Sequence, residues 1–316
     1  MHPLASLRTF IKHFACASYS IPMDKALAST SAKVGDTSLP FKLLLSCPSG
    51  LSPTQVSVAF DQAYDRILLP DIELENSISE YGGHNLLCGG KSNQESHVCL
   101  QLGLTDYRTF MGTNLNPQWE KFLVPSEDDS IRCQHTSSPL GNGAIVETSD
   151  RKIIVLRRSN NVGEFPGHYV FPGGHPEPQE IGITSHQYGK DLTGSELINK
   201  KVSQEMFDSI IREVVEEIGV PASTLCNPVF IGMSRRELNV RPAAFFSIKC
   251  SLESKEIQQL YLNAQDGYES TQLYAVSLID LEYMTSEMPG CHQGGFAPLQ
   301  VDGGSSEEYL MKVHDC

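Results

Sequence analysis

One predicted helix constrains this chain more than any other segment. Between Ser203 and Ile218, apolar residues recur at three-and-four spacing, which predicts an amphipathic helix. The apolar positions are Met206, Phe207, Ile210, Ile211, Val214, Val215 and Ile218. Gly219 ends the helix, and Pro221 lies just beyond it. Acidic residues occupy much of the side opposite the apolar face.

The last turns of this helix place carboxylates on one face. They read REVVEEIGV from Arg212 to Val220, and the helical repeat puts Glu213, Glu216 and Glu217 within one sector of roughly 100°. Like charges at this spacing repel by a few tenths of a kcal/mol per pair, so the cluster favours a bound cation. Carboxylate oxygens suit magnesium or manganese, which in turn suit diphosphates. The alternative is an ordinary solvated acidic face.

Strand-like segments surround the helix. A run from Phe41 closes in a turn at Cys47 to Gly50, and His97 to Asn114 predicts a strand, a turn and a short helix. Further strands are predicted as a hairpin of Ala144–Glu147 and Lys152–Arg157, at Tyr169–Phe171, and from Ala243 and Gln272 onward. This order predicts an α/β fold, a sandwich around a mixed sheet.

Composition excludes several classes of protein. The 316 residues are 40% hydrophobic and 20% charged, as in soluble globular proteins, and the net charge of -14 argues against a nucleic-acid partner. No apolar run reaches the roughly 18 residues of a membrane-spanning helix. Nine cysteines without a C-x-x-C pair predict reduced thiols in the cytoplasm. Residues 1–22 carry Arg8 and Lys12 but no acid, so an organelle-targeting peptide is the alternative to a non-functional extension.

The REVVEEIGV string matches the second half of the Nudix box, R-E-U-x-E-E-x-G-U with U aliphatic. Pro172-Gly173-Gly174 resembles the loop that opens the box, so the chain resembles the Nudix hydrolases. The first half of the box differs. Gly174 precedes Arg212 by 38 residues, so that roughly two dozen residues are inserted, around Gln179 to Gly194. The upstream glutamate of the pattern is replaced by Gln204, and the adjacent Glu205, near Glu216 by helical angle, is the candidate substitute.

The split box, FPGGHPEP from Phe171 and LGLTDYRTFMGTN from Leu102 together resemble one branch of this family. Its members are diphosphatases of UDP-glucose and UDP-galactose in animals, with plant relatives. The resemblance implies a Nudix α/β/α sandwich with a mixed sheet, preceded by a smaller amino-terminal α/β module. The expected divisions are a disordered extension (1–40), a substrate-assisting module (41–125), the hydrolase domain (139–297) and an atypical tail (298–316).

The same resemblance implies an activity and a set of site residues. Water would split UDP-hexose into UMP and hexose 1-phosphate, with Mg²⁺, or Mn²⁺ in its place, on the helix carboxylates. Glu213 and Glu217 are the expected metal ligands, Glu216 a third ligand or the water activator, and Arg212 orients a carboxylate. The expected substrate contacts are Tyr107, Arg158, His175 and Glu177.

Each substrate contact has a chemical reason and, for two of them, a plainer alternative. Arg158 suits bidentate contact with phosphate, and Tyr107 suits stacking on uracil or a bond to ribose. His175 and Glu177 lie on the loop that enters the site. Tyr107 is alternatively a packed tyrosine, and His175 a surface histidine.

Two departures from this branch leave other functions open. The chain lacks a stretch after Ile78 that relatives carry, and Pro298 interrupts the expected final helix. One alternative is hydrolysis of another nucleoside diphosphate derivative, such as ADP-ribose or a dinucleotide. The other is a nucleotide-binding protein of the same fold without turnover. The oligomeric state is open, and neither a membrane nor a nucleic acid is expected as a partner.

Overall fold

A computed structural model describes residues 39–78, 84–94, 97–186, 192–266 and 269–297. Within these ranges, ten strands form two sheets. The strands are β1 (Phe41–Leu51), β2 (Val56–Phe60), β3 (His84–Gln94), β4 (His97–Asp106), β5 (Gly141–Glu147), β6 (Ile153–Arg158), β7 (Tyr169–Val170), β8 (Val229–Arg236), β9 (Pro242–Lys249) and β10 (Ser270–Val276). The α-helices are α1 (Ile72–Asn76), α2 (Tyr107–Gly112), α3 (Asp129–Arg132), α4 (Leu192–Ile218), α5 (Ser254–Tyr261), α6 (Leu278–Met284) and α7 (Gly290–Phe296).

The larger sheet is mixed, as predicted. Its strand order is β1-β8-β9-β5-β6-β10, with β7 paired to β6. The β5–β9 pair is parallel, whereas the pairs β1–β8, β8–β9, β5–β6 and β6–β10 are antiparallel. The smaller sheet has the order β2-β4-β3, with β2 parallel to β4. Because β1 is the edge strand beside β8, the segment 41–125 supplies part of the larger sheet, and its division into a separate module remains a prediction.

Apolar residues lie on both faces of the larger sheet, which confirms the α/β/α sandwich. Along β5, Ala144 and Val146 pack on one face with the apolar side of α4, including Phe207 and Val214. Ile145 points to the opposite face, where the core includes residues of α6 and α7. This alternation is the period of two expected for a strand buried on both sides.

Helix α4 is longer than its apolar periodicity predicted. It begins at Leu192 instead of Ser203 and still ends at Ile218. The additional turns begin at the end of the predicted insertion, and polar contacts hold them to β2. Phe60 N donates to Asn199 Oδ1 at 2.9 Å, and Ser203 Oγ donates to the Val56 carbonyl at 2.7 Å. Of the described side chains in these turns, only Ile198 and Val202 pack on the core, which is too few for a periodic apolar pattern in the sequence.

Other local predictions had mixed outcomes. The hairpin of β5 and β6 and the strands β7, β9 and β10 are confirmed. The turn expected at Cys47 to Gly50 is wrong, because β1 continues to Leu51 through an irregularity in its pairing with β8. The described residues contain no helix that is long and apolar enough to cross a membrane. Residues 1–38, the segment 79–83 that follows Ile78 and the tail 298–316 lie outside the described ranges.

Candidate active site

The Pro-Gly-Gly loop is fixed against strand β5. Ala144 N donates to the Pro172 carbonyl at 2.7 Å, and Asn142 N donates to the Gly174 carbonyl at 2.9 Å. The Asn142 side chain returns the contact, since its Oδ1 accepts from Gly174 N at 2.7 Å. A Cβ on Gly173 would overlap the Asn142 carbonyl oxygen. The close approach of loop and strand therefore requires glycine at this position.

Two glutamates of α4 meet this loop from the other side. Gly173 N donates to Glu217 Oε2 at 2.9 Å, and His175 N lies 3.5 Å from Glu213 Oε1. A Cβ on Gly174 would overlap the Glu213 carboxylate. The loop glycines thus leave room for both carboxylates and turn backbone N–H groups toward them.

The acidic pair Glu213–Glu217 has excess negative charge. Burial and the neighbouring Glu213 carboxylate raise the pKa of Glu217 well above its ordinary value, and Glu269 adds to this rise. The Gly173 hydrogen bond and Arg158 act in the opposite direction. Buried carboxylates that repel one another favour either a proton or a cation.

The carboxylates fit a magnesium-type ion that water and phosphate complete. Among the described residues, no group of three or more His, Cys, Asp or Glu side chains is arranged to bind a metal ion by itself. Mg²⁺ nevertheless binds proteins through one or two carboxylates and keeps its other positions for water and substrate phosphate. Glu213 and Glu217 supply such a pair. Glu216 lies on the same helix, and its carbonyl accepts from Asp266 N at 3.0 Å.

Glu205, and not Gln204, is the residue whose side chain pairs with Arg212. Its carboxylate receives two hydrogen bonds from the Arg212 guanidinium, at 2.5 and 3.2 Å, and one from Glu177 N at 2.9 Å. Glu205 is only 2% exposed, whereas Gln204 is exposed and donates to Asp208. Burial lowers the pKa of Arg212, but Glu205, Glu180 and Glu177 together raise it above its ordinary value. Glu177 therefore lies with the Arg212–Glu205 pair.

A second group, here called the arginine cluster, lies beyond His175. Its members are Arg158, Glu164, His175, Arg236, Arg241 and His292. The Glu164 carboxylate accepts from Arg236 and from Arg241, the latter at 2.5 Å, while Arg158 Nε donates to the Glu164 carbonyl at 2.9 Å. Arg241 also contacts Nε2 of His175. Because the backbone N–H of His175 faces Glu213, this one residue joins the acidic pair to the arginine cluster.

The charge states in the arginine cluster follow from burial. Burial and the neighbouring arginines lower the pKa of His175 and of His292 to about 3, so both rings are neutral at pH 7. Burial raises the pKa of Glu164, but Arg236 and Arg241 outweigh it and lower the value to about 2. Three guanidiniums thus face one carboxylate, which leaves a surplus of two positive charges.

The amino-terminal segment contributes to the edge of this cluster. Tyr107 is 42% exposed, and burial together with the negative charge of Glu164 raises the pKa of its phenol, so the two groups lie within electrostatic range. The Arg241 guanidinium lies over the Phe110 ring at 5.3 Å. Asn114 Nδ2 donates to the Asn239 carbonyl at 2.8 Å, and Asn239 Oδ1 accepts from Arg236 Nε at 2.6 Å.

Comparisons with known proteins decide the family. No family model matches the chain. "Nudix hydrolase 9" of Arabidopsis thaliana is 63% identical over 281 residues, which cover 83% of this chain and 90% of that protein. The chain belongs to the Nudix hydrolases. This family acts on phosphoanhydride bonds and generally uses divalent metals, so the chain is an enzyme of that class.

More distant members of the Nudix hydrolases carry a substrate in their names. "Uridine diphosphate glucose pyrophosphatase NUDT22" of Homo sapiens is 33% identical over 256 residues, covering 74% of this chain and 82% of that protein. The protein of the same name from Mus musculus is 34% identical over 257 residues, with 74% and 80% covered. A solved structure of a MutT protein from Methanosarcina mazei Go1 matches 52% of this chain and 95% of that one, at 16% identity and a TM-score of 0.32.

The structure groups the predicted Nudix site residues into three places. Glu213 and Glu217 meet the Pro-Gly-Gly loop, Arg158, His175 and Tyr107 gather around Glu164, and Glu177 lies beside Arg212. Their catalytic, metal and substrate roles remain predictions. Sequence reasoning missed four members or neighbours of the site, namely Glu164, Arg236, Arg241 and His292. No spacing signal marks them, because they come from separate loops and strand ends.

Proposed function

We propose that this Nudix hydrolase splits UDP-glucose and UDP-galactose into UMP and hexose 1-phosphate. The observation that carries the proposal is the juxtaposition, across His175, of the acidic pair Glu213–Glu217 and the positively charged arginine cluster. A diphosphate between two organic groups carries negative charge that suits both sides, through a cation on one and guanidiniums on the other. Relatives at 33% and 34% identity bear the name of a UDP-glucose pyrophosphatase, which favours uridine and hexose as those two groups.

The proposed metal side consists of helix residues. Glu213 and Glu217 would hold Mg²⁺, with Mn²⁺ as a substitute, and Glu216 would serve as a third ligand or activate the attacking water. When bound, the ion neutralises charge on the diphosphate as the bond breaks. The Arg212–Glu205 pair keeps the loop residue Glu177 against the helix through the bond from Glu177 N. Arg212 thereby positions the loop that contacts both metal-binding glutamates.

The proposed substrate side combines loop and amino-terminal residues. Arg158 would contact phosphate through its guanidinium, which is half-buried and close enough to Glu217 to lower its pKa. Tyr107, exposed at the edge of the arginine cluster, would stack on uracil or bond to the ribose. Neutral His175 offers a hydrogen-bonding ring between the two halves of the site. The reduced thiols expected from the sequence favour a cytoplasmic location.

The test is a substrate panel with the purified full chain. UDP-glucose, UDP-galactose, ADP-ribose and ADP-glucose are incubated with Mg²⁺, with Mn²⁺ and with chelator, and products are separated by chromatography. We expect UMP and hexose 1-phosphate from the UDP-sugars only when metal is present. Faster turnover of ADP-ribose would assign another substrate class. No turnover by folded, metal-loaded protein would contradict hydrolysis and favour a nucleotide-binding role.

A matched pair of arginine variants tests the substrate side. Arg158→Gln removes a guanidinium of the arginine cluster, and we expect KM for UDP-glucose to rise by about tenfold, the value of one charged hydrogen bond. Arg157→Gln is the control, because Arg157 is exposed and lies over the Tyr169 ring instead. Equal KM values in the two variants would remove Arg158 from the substrate contacts.

A further inference from the structure

We infer that Asn142 is a positioning residue of the metal site, because it sets the separation between the Pro-Gly-Gly loop and helix α4 at which Glu213 and Glu217 bind a cation. The inference rests on the proposed function for the role of these two carboxylates, and not for the identity of the substrate. It is carried by the position of Asn142 in β5 and by the two hydrogen bonds of its side chain.

An asparagine is unexpected at this position of β5. All seven residues of the strand are buried, and Ala144 and Val146 belong to the apolar core that packs on α4. The period of two places Asn142 on the same face. Asparagine is unfavourable in strands, and a buried polar side chain is costly unless it is hydrogen-bonded. An apolar side chain would fill this face at lower cost, so the distinctive contribution of Asn142 is its pair of hydrogen bonds.

The side chain of Asn142 joins the loop to the helix. Its Oδ1 accepts from Gly174 N at 2.7 Å, and its Nδ2 donates to Ser209 Oγ at 2.9 Å. Ser209 is 1% exposed, and its hydroxyl donates to the Met206 carbonyl at 3.2 Å, so its oxygen accepts from the amide. Ser209 precedes Glu213 by four residues. The bond therefore holds α4 one turn before the first glutamate of the acidic pair.

Asn142 binds the middle one of three successive backbone N–H groups in the loop. The outer two, on Gly173 and His175, face the acidic pair at 2.9 and 3.5 Å. The fit is tight, because a Cβ on Gly174 would overlap the Glu213 carboxylate. Loss of the central bond leaves Gly174 N without this acceptor and frees the loop to shift against the helix. Such a shift would change the surroundings of both carboxylates at once.

The functional consequence is the affinity for metal. Carboxylates that repel one another bind a small cation well only when their oxygens are held at the distances that the ion requires. Otherwise, part of the binding free energy goes into ordering the loop against the helix. Groups that hold metal ligands in place contribute about 10- to 100-fold to metal affinity. Asn142 therefore acts through the loop and the helix, and not by contact with the ion.

The test measures binding of Mn²⁺ to the purified full chain by electron paramagnetic resonance, without turnover. Loss of binding in Glu217→Gln identifies the site. Asn142→Ala should weaken Mn²⁺ binding by about tenfold, and Ser209→Ala by less, because the bond to Gly174 remains. The double variant should bind Mn²⁺ as Asn142→Ala does, since Ser209 acts through Asn142. In turnover assays, the Mg²⁺ concentration that gives half-maximal rate should rise by a similar factor, while kcat at saturating Mg²⁺ changes less.

Two matched controls separate positioning from lost stability. Ser203 is a buried serine of the same helix whose hydroxyl bonds to β2, and Asn114 is a buried asparagine that bonds to the Asn239 carbonyl. Ser203→Ala and Asn114→Ala should lower the melting temperature but leave Mn²⁺ affinity unchanged. Thermal melting confirms that each variant is folded. If Asn142→Ala does not fold, Ser209→Ala and Ser203→Ala provide the same comparison.

Three results would overturn the inference. They are wild-type Mn²⁺ affinity in folded Asn142→Ala, additive losses of affinity in the double variant, and no Mn²⁺ binding by the folded wild-type chain. The first of these, together with normal turnover of UDP-glucose, would contradict the inference and leave the proposed function intact. Mn²⁺ binding that depends on Asn142, in a chain without activity on UDP-sugars, would support the inference and contradict the proposed substrate.

Discussion

The acidic pair and the arginine cluster are built in opposite ways. Glu205, Arg212, Glu213 and Glu217 all come from one helix, α4, so their spacing in the sequence determines their common face. The arginine cluster draws on the ends of β6 and β8, three loops and α7, and its central ion pairs join residues 72 and 77 positions apart. Site residues on a single helix can be predicted from their spacing in the sequence. Site residues that the tertiary structure brings together from distant segments are identified only with the structure.

The largest effect is expected in the acidic pair. Glu217→Gln removes a proposed metal ligand, so kcat should fall by roughly 10³-fold, as when a principal electrostatic group of an active site is lost. The amide still accepts from Gly173 N and no longer repels Glu213, so the melting temperature should stay the same or rise. Steady-state kinetics and thermal unfolding check both outcomes. Unaltered turnover would show that Glu217 is not part of the active site, and would contradict a metal-binding role for the acidic pair.

In the arginine cluster, we expect loss of Glu164 to lower the free energy of unfolding. Glu164→Gln leaves Arg236 and Arg241 without their shared carboxylate, and loss of one partner of a buried pair costs about 3 kcal/mol. Urea unfolding at pH 7 measures this cost. The exposed Glu127 is the control position, and Glu127→Gln should change stability by no more than about 0.5 kcal/mol.

The pH dependence of Glu164 has a definite sign. Its pKa is lowered to about 2 from an ordinary value of 4.5, so its contribution to stability is complete above the unfolded pKa. The contribution disappears as the pH falls from about 4.5 toward 2. The stability difference between wild type and Glu164→Gln should therefore shrink across this window. A constant difference down to pH 2.5 would show that the carboxylate charge does not stabilise the cluster.

The sequence predicted the parts of the fold that depend on local periodicity. The end of α4, the β5–β6 hairpin and the Pro-Gly-Gly loop follow from spacing and turn residues. The first turns of α4 were not predicted, because among their described side chains only Ile198 and Val202 pack on the core, while Asn199 and Ser203 bond to β2. Arg236 and Arg241 were not predicted as site residues for another reason. Their partner Glu164 is distant in the sequence, and arginine is common near the ends of strands.

Glu205 and Gln204 can be compared to find which one supports turnover. Glu205 forms the observed ion pair with Arg212, whereas Gln204 stands at the position of the motif glutamate. Glu205→Gln weakens the pair with Arg212 that supports the loop at Glu177, so kcat should fall by about 10- to 100-fold, as when a residue that holds a metal ligand in place is lost. Gln204, which stands at the pattern position, is exposed and contacts Asp208. Gln204→Ala should therefore change kcat by less than about twofold. The reverse ranking would show that the sequence pattern, and not the observed ion pair, identifies the functional residue.

The smallest effect is expected where the amino-terminal segment supports the cluster. Asn114 is buried, bonds to the Asn239 carbonyl and accepts from Ser138 N at 3.1 Å. Asn239 and Val240 have positive φ angles of 54° and 50°, an unfavourable backbone for both residues and more so for a β-branched one. Asn114→Ala leaves buried polar groups without partners, which costs about 1 to 2 kcal/mol, and loosens the loop that holds Arg236.

Affinity separates a positioning role for Asn114 from a purely structural one. If Asn114 acts through Asn239 on Arg236, then Asn114→Ala should raise KM for UDP-glucose severalfold, while kcat with saturating UDP-glucose and metal changes less. Asn116→Ala is the matched control in the same segment, because the side chain of Asn116 bonds to Gly112 and Gln118, which are close in sequence, and not to Asn239. Stability loss with an unchanged KM for UDP-glucose would confine Asn114 to packing. A loss of affinity would instead show that the amino-terminal segment shapes the half of the site that no sequence motif reveals.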